Sequence, residues 1–444
     1  MSATNRNRVV ILGGGFAGLH AALELERRVG RDPSVEVTLV NRENFILFTP
    51  MLHEVAASDL DLTHIVNPIR KLLKRVRFFH GQLERLDLAA REVEVSHGAE
   101  HHHHVLRYDH LVLALGSVTT FHGLPGLEQR ALTMKSLGDA IALRNRLIGN
   151  LEEADFECNA AERAPLLTVV VAGGGFAGVE TLAAVNDFLR EAIHFYPNLH
   201  ARSLRMVLVH SGPRILPELG DSLGAYAERK LAARGVEILL GRRVAEVTDQ
   251  GVRLSDGAAI ATRTLVWTAG TSVHPLIEAL PCARERGRVR VDGFMEVPEW
   301  PGVWAIGDCA AIPDPATGAA CPPTAQHALR QGRVVARNIA AALAGGRKQA
   351  FRYTSLGQLA AIGRRTGVAR VLGVQFSGFA AWWMWRTIYL SKLPRFEKKL
   401  RVMLDWTLDL VFAKDLVQFM TDRSAAPHDV ETAEPADRIS DERR

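Results

Sequence analysis

One glycine-rich segment occurs twice in this chain of 444 residues, and the repeat constrains the fold more than any other feature. The two copies read VVILGGGFAGLHAAL at positions 9–23 and VVVAGGGFAGVETLA at positions 169–183. Each copy follows a run of β-branched apolar residues and leads into an alanine-rich helical pattern. This is the strand, turn and helix context that a GxGxxG dinucleotide-binding loop requires. The repeat therefore predicts two α/β units that each bind a dinucleotide.

The three motif glycines of each copy have separate expected tasks. These are a tight turn, a close approach of the backbone to a pyrophosphate, and close packing of helix on strand. In that order they are Gly13, Gly15 and Gly18 in the first copy, and Gly173, Gly175 and Gly178 in the second. The following helix offers unpaired N–H groups to the phosphates, so Phe16 and Ala17 join the first predicted site. Two glycine-rich turns without a ligand are disfavoured, because spacing and context recur in both copies.

Each unit should continue with a second strand whose last residue contacts the adenosine ribose, commonly through Asp or Glu. Here the two strands end at Asn41, followed by Arg42, and at His210. The Asn41 amide can still bond a ribose hydroxyl. At His210 no carboxylate repels a 2′-phosphate, so NADPH stays open beside NADH. A surface residue without a ligand is an equal alternative for His210.

Three more apolar strands end in small residues that would lie under a bound dinucleotide. They are YDHLVLALGS, which reaches Gly116, TLVWTAG, which ends at Gly270, and GVWAIGDCA, which contains Gly307 and Asp308. A carboxylate at Asp308 could accept hydrogen bonds from the ribityl chain of a flavin. The alternative at this position is a simple turn.

The order of these segments predicts an α/β fold with two Rossmann-like dinucleotide-binding domains, the second inserted in the first. The first domain is expected at 1–125 and again at 296–345, and the inserted NAD(P)H-binding domain at 160–295. A C-terminal amphipathic helical membrane-association region is expected at 350–421, and a disordered tail at 422–444.

Composition narrows the classes of function. Apolar residues make up 47% of the chain and charged residues 23%, which is ordinary for a globular protein. The four cysteines form no CxxC pair or zinc motif, and the N terminus lacks a signal-peptide pattern. A cytoplasmic protein is therefore expected. No uninterrupted apolar stretch approaches the roughly 18 residues of a membrane span, so membrane contact would be made from the surface.

The segment CPPTAQHALRQGRVVARNIAAAL at 321–343 resembles the AQxAxQQG segment of type II NADH:quinone oxidoreductases. The resemblance extends over nearly the whole chain to about residue 420. It implies that Ala325 and Gln326 lie near the flavin ring and that Gln326 also borders the quinone site. Arg330 stands where the family usually carries Gln, and its cation could stabilise negative charge on a quinone oxygen.

Two other segments agree with this resemblance. Pro50, in NFILFTPMLHEVAAS, stands where the family packs a segment against the flavin ring. Glu180, two residues after the last motif glycine, matches the family's carboxylate near the nicotinamide. The alternative for Glu180 is a solvated helix residue, the usual place of a glutamate.

The C-terminal segment is strongly basic. Residues 350–401 contain ten Lys or Arg and one acid, Glu397, which gives a local charge of +9 against +5 for the whole chain. Beyond Lys398 the pattern places charged residues on one helical face and leucines on the other. Such a helix can lie in a membrane interface. A helical hairpin packed on the core or on a partner subunit is the alternative, and no nucleic-acid-binding motif is present, so no nucleic-acid partner is expected.

The resemblance implies an enzyme that binds FAD, takes a hydride from NADH and passes two electrons to a membrane quinone without pumping protons. It also implies a peripheral position on the cytoplasmic side of the cell membrane. The sequence leaves open NADH against NADPH, menaquinone against ubiquinone, and a homodimer. A rival is a sulfide:quinone oxidoreductase that uses Cys158 and Cys321.

Four consecutive histidines, 101–104, suggest a metal site. They have no carboxylate or cysteine at ligand spacing and lie between two strand-like segments. A solvated hairpin loop is therefore favoured, and no metal is expected.

Overall fold

The structure is a computed structural model that describes residues 6–419. The tail predicted at 422–444 lies outside the described residues, as do the first five residues and positions 420 and 421.

The first nucleotide-binding domain is built on a parallel sheet whose strands come from distant parts of the chain. Its first portion comprises, in chain order, β1 (Asn7–Leu12), α1 (Phe16–Val29), β2 (Val35–Asn41), β3 (Phe45–Leu47), α2 (Leu52–Ala56), β4 (Val66–Pro68), α3 (Ile69–Leu72), β5 (Arg77–His80), β6 (Gln82–Asp87), β7 (Glu92–His97), β8 (His102–Arg107), β9 (His110–Leu113) and β10 (Ser117–Thr119). β1 lies at the centre, paired with β2 on one side and β9 on the other. Its residues Val9–Leu12 are fully covered, as expected for a parallel strand with helices on both faces.

The second nucleotide-binding domain repeats this plan. Its elements are α4 (Leu127–Arg130), α5 (Leu137–Phe156), α6 (Ala160–Leu166), β11 (Thr168–Ala172), α7 (Phe176–Ala192), β12 (Arg205–His210), α8 (Asp221–Ala232), β13 (Val236–Leu240), β14 (Val244–Thr248), β15 (Gly251–Leu254), β16 (Ala259–Ala261), β17 (Thr264–Trp267) and β18 (Thr271–Val273). The main sheet is parallel in the order β13-β12-β11-β17. Both domains thus carry a glycine loop between a central strand and the helix that follows it.

The chain then returns to the first domain. The returning elements are α9 (Pro275–Glu278), β19 (Arg284–Glu285), β20 (Arg288–Arg290), β21 (Val303–Ala305), β22 (Ala310–Ala311) and α10 (Ala325–Leu343). β21 completes the sheet in the order β21-β9-β1-β2-β5, which confirms that the second domain is inserted in the first. Val273, Ile277 and Val289 already pack in the core of the first domain. The expected boundary near 295 is therefore about twenty residues too late.

The C-terminal module begins with strands rather than helices. It comprises β23 (Gly357–Ala361), β24 (Gly367–Val371), β25 (Val374–Gly378), α11 (Phe379–Lys392) and α12 (Phe396–Leu408). The three strands form an antiparallel sheet, so the wholly helical expectation for this region was wrong for its first third. Ala360, Trp385 and Val402 share one core with the second nucleotide-binding domain. The module is thus an integral part of the molecule.

Within residues 6–419, no helix has both the length and the hydropathy needed to cross a bilayer.

Candidate active site

The glycine loops have the geometry of dinucleotide cradles. Gly13 and Gly173 have φ angles of +102° and +119°, a backbone region that favours glycine. A Cβ at Gly18 would lie 1.9 Å from the Gly13 carbonyl oxygen, so α1 approaches the loop as closely as glycine allows. A Cβ at Gly15 or at Gly175 would instead meet open space. No side chain caps either following helix, so the helix N termini can receive a phosphate.

Asn41 holds the first loop in place. Its Oδ1 accepts a hydrogen bond from the Gly14 N–H at 2.7 Å, and its Nδ2 donates to the Glu43 carbonyl. Arg42 is exposed and pairs with Glu43 at 3.4 Å. The amide of Asn41 therefore serves the loop itself, a contact that sequence reasoning did not predict.

His210 holds the loop of the second domain as Asn41 holds the first, because it too is the last residue of the second strand. The Gly174 N–H donates to its Nδ1 at 3.1 Å. An accepting Nδ1 carries no proton, so the neutral ring is protonated on Nε2. Burial lowers the pKa of His210, which keeps the ring neutral at pH 7. His210 is thus a half-buried residue at the strand end whose ring holds the second loop.

Asp308 lies where the first-domain sheet ends. Its Oδ2 accepts a hydrogen bond from the Ser117 hydroxyl at 3.0 Å, and the Lys135 ammonium donates to the same hydroxyl at 2.8 Å. Lys135 was not foreseen from the sequence, because it belongs to the linker before α5. Gly307 has a φ of +74° and donates its N–H to Gln331 at 2.9 Å, which ties this segment to α10. The group provides a carboxylate and an ammonium beside the first loop, and these suit a ribityl chain.

Two of the other small residues have backbone angles that favour glycine. Gly116 has a φ of +67°, and a Cβ on it would meet no atom within 4 Å. Gly270 has a φ of +140°, and a Cβ on it would lie 2.4 Å from the His122 ring. Pro50 lies in a short helical turn, Thr49–Met51, directly before α2. Gly116 therefore leaves open space just beyond the end of β9, whereas Gly270, just beyond the end of β17, is closely packed against His122.

Gln326 lies in the first turn of α10, which begins at Ala325 and is capped by the Thr324 hydroxyl. The Tyr353 hydroxyl donates to its Oε1 at 2.8 Å, and its Nε2 donates to the Gly357 carbonyl at 2.8 Å. The Arg330 guanidinium stacks on the Tyr353 ring at 4.0 Å and donates to the Gln326 carbonyl at 2.9 Å. Tyr353 thus joins the two predicted residues, and only the folded chain brings it there.

Glu180 lies on α7 and is 8% exposed, so the solvated interpretation is wrong. Its Oε1 accepts hydrogen bonds from the Ala361 N–H at 3.0 Å and from the Trp385 indole at 2.9 Å. Burial raises the pKa of Glu180 to about 8, although both hydrogen bonds oppose the rise. The carboxyl group is therefore protonated at pH 7. A buried acid beside a nucleotide loop is a candidate proton donor.

A second buried acid, Glu54, was missed. It lies on α2 and its Oε2 accepts a hydrogen bond from the Trp406 indole at 3.2 Å. Burial raises its pKa to about 8, against the lowering effect of Arg386. The sequence does carry one signal for Glu54, because it is the only acid in the mostly apolar segment PMLHEVAA, which begins at the predicted residue Pro50.

An aromatic path joins the first glycine loop to the C-terminal module. Phe16 contacts Phe48 edge to face with ring centroids 5.9 Å apart, and Phe48 contacts Tyr389 at 6.2 Å. Tyr389 in turn packs on Trp385 at 4.9 Å. The predicted flavin-facing segment therefore lies between the loop and α11.

The cysteines do not form a redox pair. Cys158 is exposed after the end of α5, whereas Cys321 is buried in the core of the first nucleotide-binding domain, and both thiols are free. The chemistry of the sulfide-oxidising rival is not supported.

The histidine run is only partly a loop. His101 is in the turn at a φ of +49°, but His102, His103 and His104 belong to strand β8. They are exposed, and His104 contacts His97 across the hairpin with ring nitrogens 2.8 Å apart. Among the described residues no group of three or more His, Cys, Asp or Glu is arranged to hold a metal ion.

Comparisons with known proteins agree with this geometry. The family model for pyridine nucleotide-disulphide oxidoreductases matches residues 7–332, and that for the NDH2 C-terminal domain matches residues 356–415. A solved structure of NDH2 from Plasmodium falciparum in complex with NADH superposes with a TM-score of 0.85 at 17% identity, covering 93% of this chain and 100% of that one. This likeness shows the fold.

Curated relatives specify the family. The type II NADH:quinone oxidoreductase of Mycobacterium tuberculosis is 33% identical, and the match covers 95% of this chain and 91% of that protein. The demethylphylloquinone reductase of Synechocystis is 32% identical, with 90% and 96% covered. Because these matches cover nearly the whole of both proteins, and the two family models together contain both nucleotide loops and the C-terminal sheet and helices, the chain belongs to the type II NADH:quinone oxidoreductase family.

Proposed function

We propose that this chain oxidises NADH through a bound FAD and passes two electrons to a quinone at a membrane surface, without pumping protons. The observation that carries the proposal is the hydrogen bond between Glu180 and Trp385 at 2.9 Å. It joins the helix that leaves the second nucleotide loop to the first helix of the C-terminal module. Nucleotide chemistry and the acceptor side are thereby connected through one buried carboxyl group.

FAD fits the first domain and NADH the second. The open space at Gly15, the helix N terminus behind it and the Asp308 carboxylate suit the pyrophosphate and ribityl parts of FAD. Gly175 offers the same opening to NADH. A flavin supplies the ability to accept a hydride and to release two electrons to an acceptor. The protein contributes binding, orientation and the control of protons.

Gln326 and Arg330 are proposed to border the acceptor. Both hydrogen-bonding ends of the Gln326 amide are used, by Tyr353 and by Gly357, so its orientation is fixed. Arg330 is half-buried and engaged with Tyr353, which places its charge at the same edge of α10. Such fixed dipoles and charges stabilise a developing negative oxygen without reorganisation.

The membrane is proposed to contact an apolar outer face on the last two helices. This face consists of exposed residues of α11 and α12, namely Phe379, Trp383, Phe396, Leu400, Met403, Leu404 and Leu408. Two polar residues of α12 point inward, since the Lys398 ammonium donates to the Thr63 carbonyl at 2.5 Å and Asp405 bonds His64. An exposed apolar face flanked by basic residues matches the chemistry of an anionic lipid surface. We propose the cytoplasmic side of the cell membrane as the location.

The test is quinone-dependent turnover by purified protein in detergent. We expect a bound flavin with the absorption spectrum of FAD, slow NADH oxidation alone, and fast oxidation after a soluble quinone is added. NADPH is assayed in parallel, and light scattering under the same conditions distinguishes a monomer from a homodimer. A protein that NADH reduces but that ignores every quinone would contradict the proposed acceptor.

A matched pair of glycine variants tests the nucleotide site. Gly175→Ala introduces a Cβ into open space where the pyrophosphate of NADH would lie, and should raise the KM for NADH about tenfold while FAD stays bound. In Gly293→Ala the new Cβ also meets no atom within 4 Å, but in a loop outside both cradles. This control should keep the wild-type KM. Equal KM values for the two variants would refute the assignment of the second loop.

A further inference from the structure

Two buried carboxyl groups lie on helices that pack against each other, and one of them, Glu180, bonds the same strand, β23, as Gln326 does. Glu54 on α2 is 6% exposed and Glu180 on α7 is 8% exposed. Each accepts an indole N–H from the C-terminal module, Glu54 from Trp406 and Glu180 from Trp385. The two indole rings are 6.5 Å apart. The pair is therefore built from three separate parts of the chain.

The proposed reaction consumes one proton in each turnover, and a pair of buried acids can supply it. One turnover converts NADH, one proton and a quinone into NAD⁺ and a quinol, so one proton must be taken from the medium for every hydride. We propose that Glu54 is a proton-relay residue that reprotonates Glu180 during quinone reduction, and that the relay opens to solvent at Asp59 and Lys414. This inference rests on the proposed function and assigns a role to a residue outside the acceptor site.

The protonation states suit a relay. Burial raises the pKa of both carboxyls to about 8, and negative charge on Glu54 adds to the rise at Glu180. Both are carboxylic acids at pH 7, so each can give up a proton and receive another. The steps balance, because the proton lost by Glu180 to an acceptor oxygen is replaced from Glu54, and that lost by Glu54 is replaced from water. Transfer between carboxyls needs one hydrogen bond or one intervening water.

The solvent side of the relay is an ion pair. The Lys414 ammonium lies 2.5 Å from Asp59, and the Asp59 side chain keeps 16% of its surface exposed to solvent. Burial raises the pKa of Asp59 to about 6, although Lys414 opposes the rise. Burial acts to lower the pKa of Lys414, but the Asp59 and Asp409 carboxylates outweigh it. Asp59 also acts on the pKa of Glu54, which places it within electrostatic reach of the inner carboxyl.

The other charged groups around Glu54, Arg386 and His53, do not exchange protons near neutral pH. The Arg386 guanidinium lies between the rings of Trp382 and Trp406, at 4.3 and 4.5 Å, and lowers the pKa of Glu54. His53, the residue before Glu54 on α2, packs on Trp385, and burial lowers the pKa of His53 to about 3. An arginine and a histidine in these states hold their charge constant near neutral pH. Glu54 is therefore the group next to Glu180 that can exchange a proton there.

Stopped-flow kinetics of the FAD-loaded, full-length protein separate the two half-reactions. Glu54→Gln keeps the size of the side chain and an acceptor for the Trp406 indole. Flavin reduction by NADH should stay within about twofold of wild type, whereas reoxidation by a soluble quinone should slow about tenfold or more. The fall of the wild-type reoxidation rate near pH 8 should move to lower pH, because the charge that raises the pKa of Glu180 is gone. Glu54→Asp should restore part of the rate.

Glu152→Gln is the matched control, since Glu152 also accepts a hydrogen bond from a buried aromatic residue, the Tyr196 hydroxyl at 2.9 Å, but outside this pair. It should leave both half-reactions unchanged. Wild-type reoxidation rate and pH profile in Glu54→Gln would overturn the relay, and so would an equal loss in both half-reactions. The proposed function fails separately, if NADH reduces the wild type but quinone does not reoxidise it.

Discussion

Asn41 and His210 are structural equivalents in the two nucleotide-binding domains. Each is the last residue of the second strand, and each accepts a hydrogen bond from the middle glycine of its loop, Gly14 at 2.7 Å and Gly174 at 3.1 Å. The acceptor is an amide oxygen in one domain and a neutral ring nitrogen in the other. Both residues therefore hold the loop with a neutral side chain at the position where the ribose is expected.

The surroundings of His210 predict a preference for NADH. The nearest cation in the following segment, Arg214, pairs with Glu228 at 3.0 Å and with Asp221 at 3.4 Å. A 2′-phosphate would have to displace these carboxylates. Glu228→Gln should therefore raise kcat/KM for NADPH relative to NADH by about fivefold, the equivalent of roughly 1 kcal/mol. Steady-state kinetics with both nucleotides measures the ratio.

The control for this prediction is Glu237→Gln. Glu237 pairs with Arg205 at 2.9 Å at the opposite end of the same sheet, away from the ends of the strands where the nucleotide is expected. Its nucleotide ratio should equal that of wild type. If both variants shift the ratio by the same factor, the effect is one of overall charge and Arg214 has no specific role.

The two raised carboxyl pKa values predict how stability depends on pH. Glu54 and Glu180 have folded-state pKa values of about 8, above the ordinary value of 4.5. Between these values the folded state binds more protons than the unfolded state, so their contribution is complete below about pH 4.5 and is lost as pH rises through about 8. Glu54→Gln should thus gain stability relative to wild type on going from about pH 5 to about pH 8.

Thermal unfolding followed by tryptophan fluorescence at several pH values measures this trend. The surface variant Glu237→Gln should follow the wild type throughout. A constant difference in Tm between Glu54→Gln and wild type across the range would mean that Glu54 is ionised in the folded protein at neutral pH.

The nucleotide domains were predictable because their signals are local. The motif glycines must follow one another at fixed spacing, and Gly18 packs on Gly13 only five residues away. The C-terminal sheet was not predictable in this way. Its buried residues Ala360, Val368 and Ala369 carry a weak apolar pattern within a basic segment, and packing against the second nucleotide-binding domain gives them a core. The helical expectation for the whole region came from the amphipathic pattern beyond Lys398, which lies after this sheet.

The site shows the same division between local and distant causes. Glu180 was identified through the family resemblance, which its position two residues after Gly178 matches. Nothing near Glu54 indicates its indole partner, Trp406, which is 352 positions away. Tyr353 likewise reaches Gln326 from outside the α10 motif. Residue type, motif spacing and the family resemblance together gave the expected location of the site, whereas the hydrogen bonds that set protonation and orientation depend on tertiary packing.

Tyr353 predicts a specific effect on the acceptor side. Tyr353→Phe removes the hydroxyl that fixes the Gln326 amide but keeps the ring under Arg330. The net value of such a hydrogen bond is about 1 kcal/mol, so the KM for quinone should rise about fivefold while the rate of flavin reduction by NADH is unchanged.

Arg330→Gln and Arg330→Glu test whether the neighbouring cation stabilises negative charge on the acceptor. If neither changes quinone reduction, Arg330 does not stabilise charge on the acceptor.

The apolar outer face predicts binding to anionic lipid. Trp383 and Leu404 are exposed on α11 and α12, and each would bury its side chain in a membrane interface. The double variant Trp383→Glu, Leu404→Glu should bind vesicles of phosphatidylglycerol and phosphatidylcholine at least about a hundredfold more weakly, because each of the two lost contacts costs roughly 1.5–3 kcal/mol. Vesicle sedimentation measures the bound fraction, and added salt should weaken wild-type binding. Phe156→Glu changes an even more exposed aromatic, at the end of α5, and should bind as wild type does. Equal loss in the double variant and in Phe156→Glu would show that the face has no special role, whereas full quinone reductase activity of the double variant in detergent would confirm that its catalytic site is intact.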